Sequence, residues 1–262
     1  MSAVIKKDFM LDEEAVKPLL SLHQISKHYG HVRALENVDF SLTFNEVHAI
    51  VGDNGAGKST MIKVMAGAVL PDVGEIKFDG QPIQIRNPQD SSNHGITTVF
   101  QHLALVDTRD VLSNLFLGRE PTNWGWVDRQ KMRDDANRVL GELSIKIPSL
   151  SEPVANLSGG QRQAVAIGRA LLQGSKVIIM DEPTAALGVE ETRKVLLVIE
   201  QLREKGLSVI VVSHNMHHVF SMADRITVMR GGRRIATVKR RETTGDAVVG
   251  LITGTELIDR AI

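Results

Sequence analysis

The pattern of apolar and polar positions changes character several times along the chain. Three short runs show no polar alternation, as expected of strands covered on both faces, at residues 47–51, 177–180 and 209–212. Three longer segments have helical spacing and end just before a glycine that can stop a helix, at residues 59–66, 161–172 and 189–205. This order predicts an α/β fold with a parallel central sheet.

Two other patterns of apolar and polar residues interrupt that order. Short alternating segments joined by turns occupy residues 19–44, 75–85 and 225–238, and they predict an antiparallel β-subdomain. Residues 103–158 are mostly helical in pattern, with Asp128 as a plausible N-cap, and predict an inserted helical subdomain. No motif is duplicated, so we expect one domain over residues 18–250, with tails at 1–17 and 251–262.

Composition narrows the classes of partner. Lys plus Arg and Asp plus Glu both number 31, so the chain has no net field that would hold a polyanion such as nucleic acid. Cysteine is absent, which fits a reducing compartment, and the cytosol is the simplest choice. The apolar runs fall far short of the ~18 residues of a spanning helix, and the first residues do not predict a secretory signal.

A glycine-rich segment follows the first buried run and precedes a helical segment. It reads Gly52, Asp53, Asn54, Gly55, Ala56, Gly57, Lys58, Ser59, Thr60 and fits the pattern G-x-x-x-x-G-K-[ST]. Its backbone N–H groups and the helix N-terminus can surround a phosphate, Lys58 can neutralise the β and γ oxygens, and Ser59 can ligate Mg²⁺. An ordinary glycine turn would not need Lys58 and Ser59. The segment therefore predicts a nucleoside triphosphate site.

Two carboxylates end the second buried run. Asp181 and Glu182 leave the strand in different directions, so one can face a metal while the other faces an attacking water. We assign Asp181 to Mg²⁺ and Glu182 to the general base. The alternative is that one of them merely caps the helix after Pro183.

A second helix N-terminus is formed by Ser158, Gly159, Gly160 and Gln161. Ser158 is a good N-cap, and the glycines permit close backbone approach, so this end could grip another phosphate. Taken alone, the Ser-Gly-Gly sequence equally fits an ordinary capped helix.

These motifs together resemble the nucleotide-binding domain of ABC-type transporters. The resemblance rests on the phosphate loop, LSGGQ at 157–161, VIIMDEP at 177–183 and SH at 213–214, in that order. It implies that two subunits sandwich two ATP molecules, each held by the phosphate loop of one chain and the LSGGQ residues of the other. We therefore expect ATP and Mg²⁺ as cofactors and a homodimer with ATP at the interface.

The resemblance gives roles to further residues. Gln101 matches the glutamine that touches Mg²⁺ and relays its state to the helical subdomain, and His214 matches the histidine that contacts the γ-phosphate. Tyr29 matches the aromatic side chain that stacks on adenine, although it could also be a simple edge-strand aromatic. The family usually has aspartate where this chain has Gly188, which bears on how tightly the two ATP sites are coupled.

The region after Gln101 resembles ATPases of sugar importers of the ribose, xylose and fructose type, closest to the fructose type. The resemblance implies an integral membrane permease as partner, indirect dependence on a periplasmic solute-binding protein, and a peripheral position at the cytoplasmic face of the inner membrane. Apolar residues within 103–117 would contact the permease or pack inside the helical subdomain. The alternatives are an export ATPase and a regulatory ATPase linked to nucleic acid, the latter suggested by the basic run after Met229.

Overall fold

The computed structural model describes residues 17–143 and 147–255. In chain order the strands and helices are β1 (Leu20–Tyr29), β2 (Val32–Leu42), β3 (Val47–Val51), α1 (Lys58–Met65), β4 (Val73–Phe78), β5 (Gln81–Ile83), α2 (Pro88–Asn93), β6 (Ile96–Val99), α3 (Val111–Phe116), β7 (Thr122–Asn123), β8 (Trp126–Val127), α4 (Arg129–Glu142), α5 (Gly159–Leu172), β9 (Val177–Asp181), α6 (Val189–Glu204), β10 (Ser208–Val212), α7 (Met216–Met222), β11 (Arg225–Arg230), β12 (Arg233–Lys239) and α8 (Gly245–Thr253). The predicted α/β class is confirmed.

Two main sheets organise the described residues. The central sheet has six strands in the order β12-β11-β3-β10-β9-β6, and the neighbouring strands from β11 to β6 are parallel. Its middle strands are buried on both faces, which explains why their sequences lack polar alternation. An antiparallel sheet in the order β2-β1-β4-β5 forms a second layer. Helix α1 lies between the two sheets, because its apolar residues join the same core cluster as those of both.

The sequence pattern predicted that the hairpin at residues 225–238 belongs to the antiparallel β-subdomain, and this prediction is wrong. Strands β11 and β12 are antiparallel to each other, as expected, but β11 pairs in parallel with β3 and extends the central sheet. Its buried residues Ile226 and Val228 pack with α8 in a separate core cluster. The hairpin thus supports the strand that carries the phosphate loop.

Helix α8 also corrects a domain boundary. It spans Gly245–Thr253, so the predicted division at residue 250 between domain and tail cuts through a helix. The predicted N-terminal tail lies outside the described residues except for Lys17, whose ammonium pairs with Asp79 at 2.7 Å. Within residues 17–143 and 147–255, no helix combines the length and apolar character that crossing a bilayer requires.

The helical subdomain contains α3, α4 and the start of α5. Asp128 caps α4, since its carboxylate accepts a hydrogen bond from the backbone N–H of Lys131 at 3.0 Å. The inner faces of these helices share one apolar cluster, which includes Leu115, Ala136 and Val165. The subdomain is not entirely helical, because β7 and β8 form a short hairpin ahead of α4.

A buried polar cluster joins the two sheets below the phosphate loop. Glu46 is only 4% exposed, and its carboxylate accepts hydrogen bonds from the Thr43 backbone N–H and hydroxyl at 2.6 and 2.7 Å. Nδ1 of His48 lies 3.2 Å away and the Arg225 guanidinium 3.3 Å away. Burial by itself would raise the pKa of Glu46, but His48, Arg225 and Thr43 outweigh it and hold that pKa at about 2.

We expect the substitution Glu46→Gln to destabilise the protein at neutral pH. The folded-state pKa lies below the unfolded value of 4.5, so the stabilisation is fully present above pH 4.5 and is lost as the pH falls toward 2. The variant should lose about 2–3 kcal/mol of unfolding free energy at pH 7, and the difference from the parent should shrink by pH 3.

Urea unfolding of both proteins at the two pH values measures this difference. Glu75→Gln is the matched control, because Glu75 is an exposed carboxylate paired with Lys77 and its loss should leave the urea midpoint unchanged. A Glu46→Gln deficit that is equally large at pH 3 would show that the charge of Glu46 is not what stabilises the fold.

Candidate nucleotide-binding site

The carboxyl ends of four parallel strands bring the predicted site residues to one edge of the central sheet. In register, Ile50 of β3 lies beside Val212 of β10, and Val212 lies beside Asp181 of β9. Strand β6, which ends just before Gln101, pairs with β9 on the far side. Segments that are distant in the sequence therefore meet where ligands bind in open α/β sheets.

The glycine-rich segment forms a loop that closes around the side chain of Lys58. The Lys58 ammonium donates hydrogen bonds to the carbonyl oxygens of Gly52 at 2.6 Å and Asp53 at 2.9 Å. Lys58 is buried at the first position of α1, Ser59 beside it is exposed, and Thr60 is half-buried. Within the loop, Asp53, Asn54 and Gly55 are exposed and Ala56 is buried.

The position of Gly57 cannot accept a side chain. Its φ of +101° is unfavourable for other residues, and a Cβ atom there would lie 2.6 Å from the carbonyl oxygen of Ala34. The tip region of the β1–β2 hairpin therefore presses directly against the loop. Tyr29 pairs with Val32 at the end of this hairpin, close in the chain to Ala34. Its ring is 46% exposed, and Nζ of Lys27 is 5.8 Å from the ring centroid.

Two carboxylates, Asp181 and Glu182, lie close enough to Lys58 for their charges to act on it. Burial raises the pKa of Asp181, and the nearby charge of Glu182 raises it further, while Lys58 and Lys63 act in the opposite direction. Burial also lowers the pKa of Lys58, while the negative charges of Glu182, Asp53 and Asp181 act to raise it. The site thus concentrates charges of both signs in a poorly solvated place, as sites for charged ligands often do.

Glu182 is held in a distinctive backbone conformation. Its φ is +50°, and its N–H donates to the Val212 carbonyl oxygen at 2.9 Å. Its Oε1 lies 2.8 Å from Nδ1 of His214, which is itself 75% exposed. The structure therefore brings Glu182 and His214 into direct contact, although 32 positions separate them in the sequence.

Gln101 is exposed just after β6, and the segment behind it is tied to α5. The guanidinium of Arg169 donates to the carbonyl oxygens of Leu103 at 2.9 Å and Ala104 at 3.0 Å. Burial lowers the pKa of Arg169. These bonds join the segment after Gln101 to α5, the helix that Ser158 caps.

The N-terminus of α5 is a capped and electropositive helix end. Ser158 and Gln161 form a reciprocal capping box: the Ser158 hydroxyl accepts from the Gln161 N–H at 3.4 Å, and the Gln161 side chain accepts from the Ser158 N–H at 3.0 Å. Gly159 and Gly160 pack against Leu187 and Glu191 of the next segment. The predicted cap is confirmed.

An anion from the same chain already faces this helix end. The Glu191 carboxylate accepts a hydrogen bond from the Gly188 N–H at 3.3 Å, and hydrogen bonds from the Ser158 hydroxyl, Gly188 and the Gly160 backbone lower its pKa. Gly188, where the family usually has aspartate, is the N-cap of α6 and contributes only backbone to this junction.

Three residues that contribute to the site were missed by the reasoning from sequence. They are Glu191, Arg169 and His218, whose Nδ1 lies 3.0 Å from the Thr184 hydroxyl beside the two catalytic candidates. Only Glu191 carries a local signal, since a glutamate three residues after a helix start predicts a capping box. The other two act through contacts between distant segments.

The geometry defines a P-loop ATPase cassette, and comparisons with known proteins agree. The ABC transporter family profile matches residues 35–185. The fructose import ATP-binding protein FrcA of Rhizobium meliloti is 47% identical over 92% of this chain and 95% of its own length. The xylose/arabinose import ATP-binding protein XylG of Sulfolobus acidocaldarius is 42% identical over 90% of this chain and 94% of its own length.

Solved structures show the same fold. The ADP conformation of an ATP-binding cassette of an ABC transporter has a TM-score of 0.78 at 28% identity, and covers 90% of this chain and 95% of that one. A bacterial ABC transporter cassette solved as a dimer has a TM-score of 0.72 at 26% identity, over 85% of this chain and 99% of that one. This chain belongs to the ABC transporter family, as an ATP-binding subunit whose ATP hydrolysis is coupled to transport. The expected resemblance to sugar import ATP-binding proteins is confirmed.

Proposed function

We propose that this chain powers the import of a monosaccharide through a separate membrane permease. The observation that carries the proposal is the 47% identity to a fructose import ATP-binding protein over nearly the full length of both chains. The residues at the sheet edge supply the chemistry, and the helical subdomain supplies the surface for coupling. The solute itself is selected elsewhere, by the permease and by a periplasmic binding protein.

Each candidate residue has a role that its surroundings support. Lys58 neutralises the β and γ oxygens of ATP by exchanging its bonds to the Gly52 and Asp53 carbonyl oxygens for bonds to phosphate. Glu182 is the general base that takes a proton from the attacking water, and His214 holds its carboxylate in place. Tyr29 stacks on adenine, which any exposed aromatic ring can do without reading the base in detail.

The oxygen donors at this edge of the sheet fit Mg²⁺. Ser59, Asp181 and Gln101 offer oxygen atoms, which this cation prefers, and a few protein ligands suffice because the nucleotide phosphates complete the coordination. Burial and the charge of Glu182 raise the pKa of Asp181, and a bound cation would oppose both effects. Mg²⁺ held by these residues would supply neutralisation of the negative charge on the nucleotide phosphates.

Two copies of the chain complete the ATP site. Ser158, Gly159, Gly160 and Gln161 lie on the helical subdomain side, packed against Leu187 and Glu191, and they reach an ATP molecule held by the Lys58 loop of a second copy. The dimeric cassette of the same fold supports this arrangement. The Glu191 carboxylate competes with the incoming phosphate for the same hydrogen-bond donors, which favours an open dimer before ATP binds.

Coupling to the permease runs through the segment after Gln101. In α3, Val111 and Leu115 are buried inside the helical subdomain, whereas Val106 and Leu117 are exposed and available for contact. Arg169 links this segment to α5, so a shift caused by the permease reaches the phosphate-binding end of the partner site. The chain is accordingly peripheral at the cytoplasmic face of the membrane.

The test is a reconstituted transporter. The chain is co-purified with its permease, placed in proteoliposomes with ATP enclosed on its side, and supplied externally with solute-binding protein and labelled monosaccharides. We expect ATP-dependent accumulation of one sugar and stimulation of ATP hydrolysis by the loaded binding protein.

The outcomes separate the alternatives. ATP-dependent loss of label from preloaded vesicles would favour an export ATPase. A chain that does not co-purify with the permease, but whose ATP turnover responds to nucleic acid, would overturn import in favour of a regulatory ATPase. Glu190→Gln serves as a control variant, because this carboxylate is exposed and its contact is an ion pair with Arg193.

A further inference from the structure

A short hairpin on the helical subdomain carries the two tryptophans of the chain. Strands β7 and β8 pair through Thr122 with Val127 and Asn123 with Trp126, and we call residues 121–128 the tryptophan hairpin. Trp124 is 96% exposed and Trp126 is 81% exposed. Side chains this exposed project from the surface instead of lining a groove, and they contribute little to the packing of the fold.

The turn itself does not call for an indole. Trp124 and Gly125 both have positive φ values, +53° and +84°, as in the two-residue turns that favour Asn-Gly. A bulky residue with positive φ is strained. The two ends of the hairpin are nevertheless held together, because the Asp128 N–H donates to the Pro121 carbonyl oxygen at 2.8 Å. The Asp128 side chain also caps α4, which joins the hairpin to that helix. The backbone at Trp124 is therefore strained, and its exposed side chain does not offset this strain by packing against the fold.

Cations surround the tryptophan hairpin. Residues 117–133 contain four basic and two acidic side chains, and Asp134 and Asp135 follow on α4, where Asp135 pairs with Arg138. All four basic side chains are exposed: Arg119, Arg129, Lys131 and Arg133. The two carboxylates turn toward the backbone, since Glu120 accepts from the Gly118 N–H at 3.3 Å and Asp128 from the Lys131 N–H. Four exposed cations thus flank the two indoles, one before the hairpin and three after it.

We propose that the tryptophan hairpin inserts its two indoles into the headgroup layer of an anionic membrane. Tryptophan prefers the membrane–water interface, where its ring is half apolar and its N–H finds a partner, and basic side chains nearby add attraction to anionic lipids. The positive rim favours a lipid surface over an uncharged protein groove. The inference rests on the proposed function only in that the permease brings the chain to a membrane.

The test uses the full chain and vesicles without protein. Because both tryptophans lie in the hairpin, intrinsic tryptophan emission reports on this element alone. With vesicles of mixed phosphatidylglycerol and phosphatidylcholine at low salt, we expect a blue shift and co-sedimentation. Both should weaken at high salt and with pure phosphatidylcholine. Arg129→Gln and Arg133→Gln should each lower the partition coefficient roughly fivefold.

Trp124→Asn is the decisive variant. Asparagine suits the turn, so the variant should fold at least as well as the parent, and it should lose most of the binding to anionic vesicles. Its ATP hydrolysis in solution should be unchanged, which separates failure of this inference from failure of the proposed function. Val249→Ser is the matched control, because it removes an exposed apolar side chain from α8 and should leave vesicle binding intact.

Several results would overturn the inference. One is the absence of any blue shift or co-sedimentation with anionic vesicles at low salt, and another is equal binding by Trp124→Asn. A shift seen only with detergent-solubilised permease would identify a protein partner instead. A shift that grows with protein concentration in the absence of vesicles would identify self-association.

Discussion

Replacing Glu182 with glutamine should stop ATP turnover and leave ATP binding intact. Glutamine keeps the size of the side chain and can still bond to Nδ1 of His214, but it cannot take a proton from water. Loss of a general base typically lowers the rate ~10²–10⁴-fold. The substitution also removes one of the charges that raise the pKa of Asp181, which favours the ionised carboxylate that Mg²⁺ requires.

Because binding continues without hydrolysis, an ATP-bound dimer should accumulate. Light scattering with saturating ATP and Mg²⁺ measures the dimer, and release of phosphate measures turnover. Glu190→Gln, another carboxylate-to-amide change in the same region, should keep full turnover and show no trapped dimer. A Glu182→Gln protein that stays monomeric with ATP, or that hydrolyses it normally, would remove Glu182 from its role.

Replacing Lys58 with alanine should weaken ATP binding itself. Lys58 is the buried cation of the phosphate loop, and hydrogen bonds from a charged group contribute about 1.5–3 kcal/mol. We therefore expect ATP affinity to fall roughly 10–150-fold. Titration calorimetry in the presence of Mg²⁺ measures the affinity, and circular dichroism checks that the loop still folds without the Lys58 bonds to Gly52 and Asp53.

Lys63 provides the matched control. It is an exposed lysine on the same helix as Lys58. Its positive charge acts on the site by lowering the pKa of Asp181. Lys63→Ala should change ATP affinity by much less than Lys58→Ala. Equal losses in both variants would mean that the general positive field of α1, and not the contact made by Lys58, binds the phosphates.

Local patterns in the sequence were sufficient for the elements and for the phosphate loop. The strands β3, β9 and β10 are apolar throughout because both of their faces are covered, and this is visible without knowing what covers them. The loop around Lys58 is a continuous segment whose glycines, lysine and serine have fixed spacing. Both the apolar strands and the phosphate loop can be recognised from residues that are close together in the sequence.

Sheet membership could not be deduced in the same way. The hairpin of β11 and β12 alternates like the strands of the antiparallel sheet, yet β11 lies beside β3 in the central sheet. An alternating pattern shows which residues face a core, but it does not say which edge a hairpin joins. That choice depends on the burial of Ile226 and Val228 against α8, which is a contact between separate segments.

The sequence by itself determined the class of fold, the position of the phosphate loop and the identity of Asp181 and Glu182 as strand-end carboxylates. Only the tertiary structure decided which groups meet: Glu182 with His214, Arg169 with the segment after Gln101, and Glu191 with the start of α5. The physical reason is that composition and spacing report local preference, whereas these contacts depend on how sheet and helices pack. The exposure of both tryptophans likewise became visible only in the folded chain.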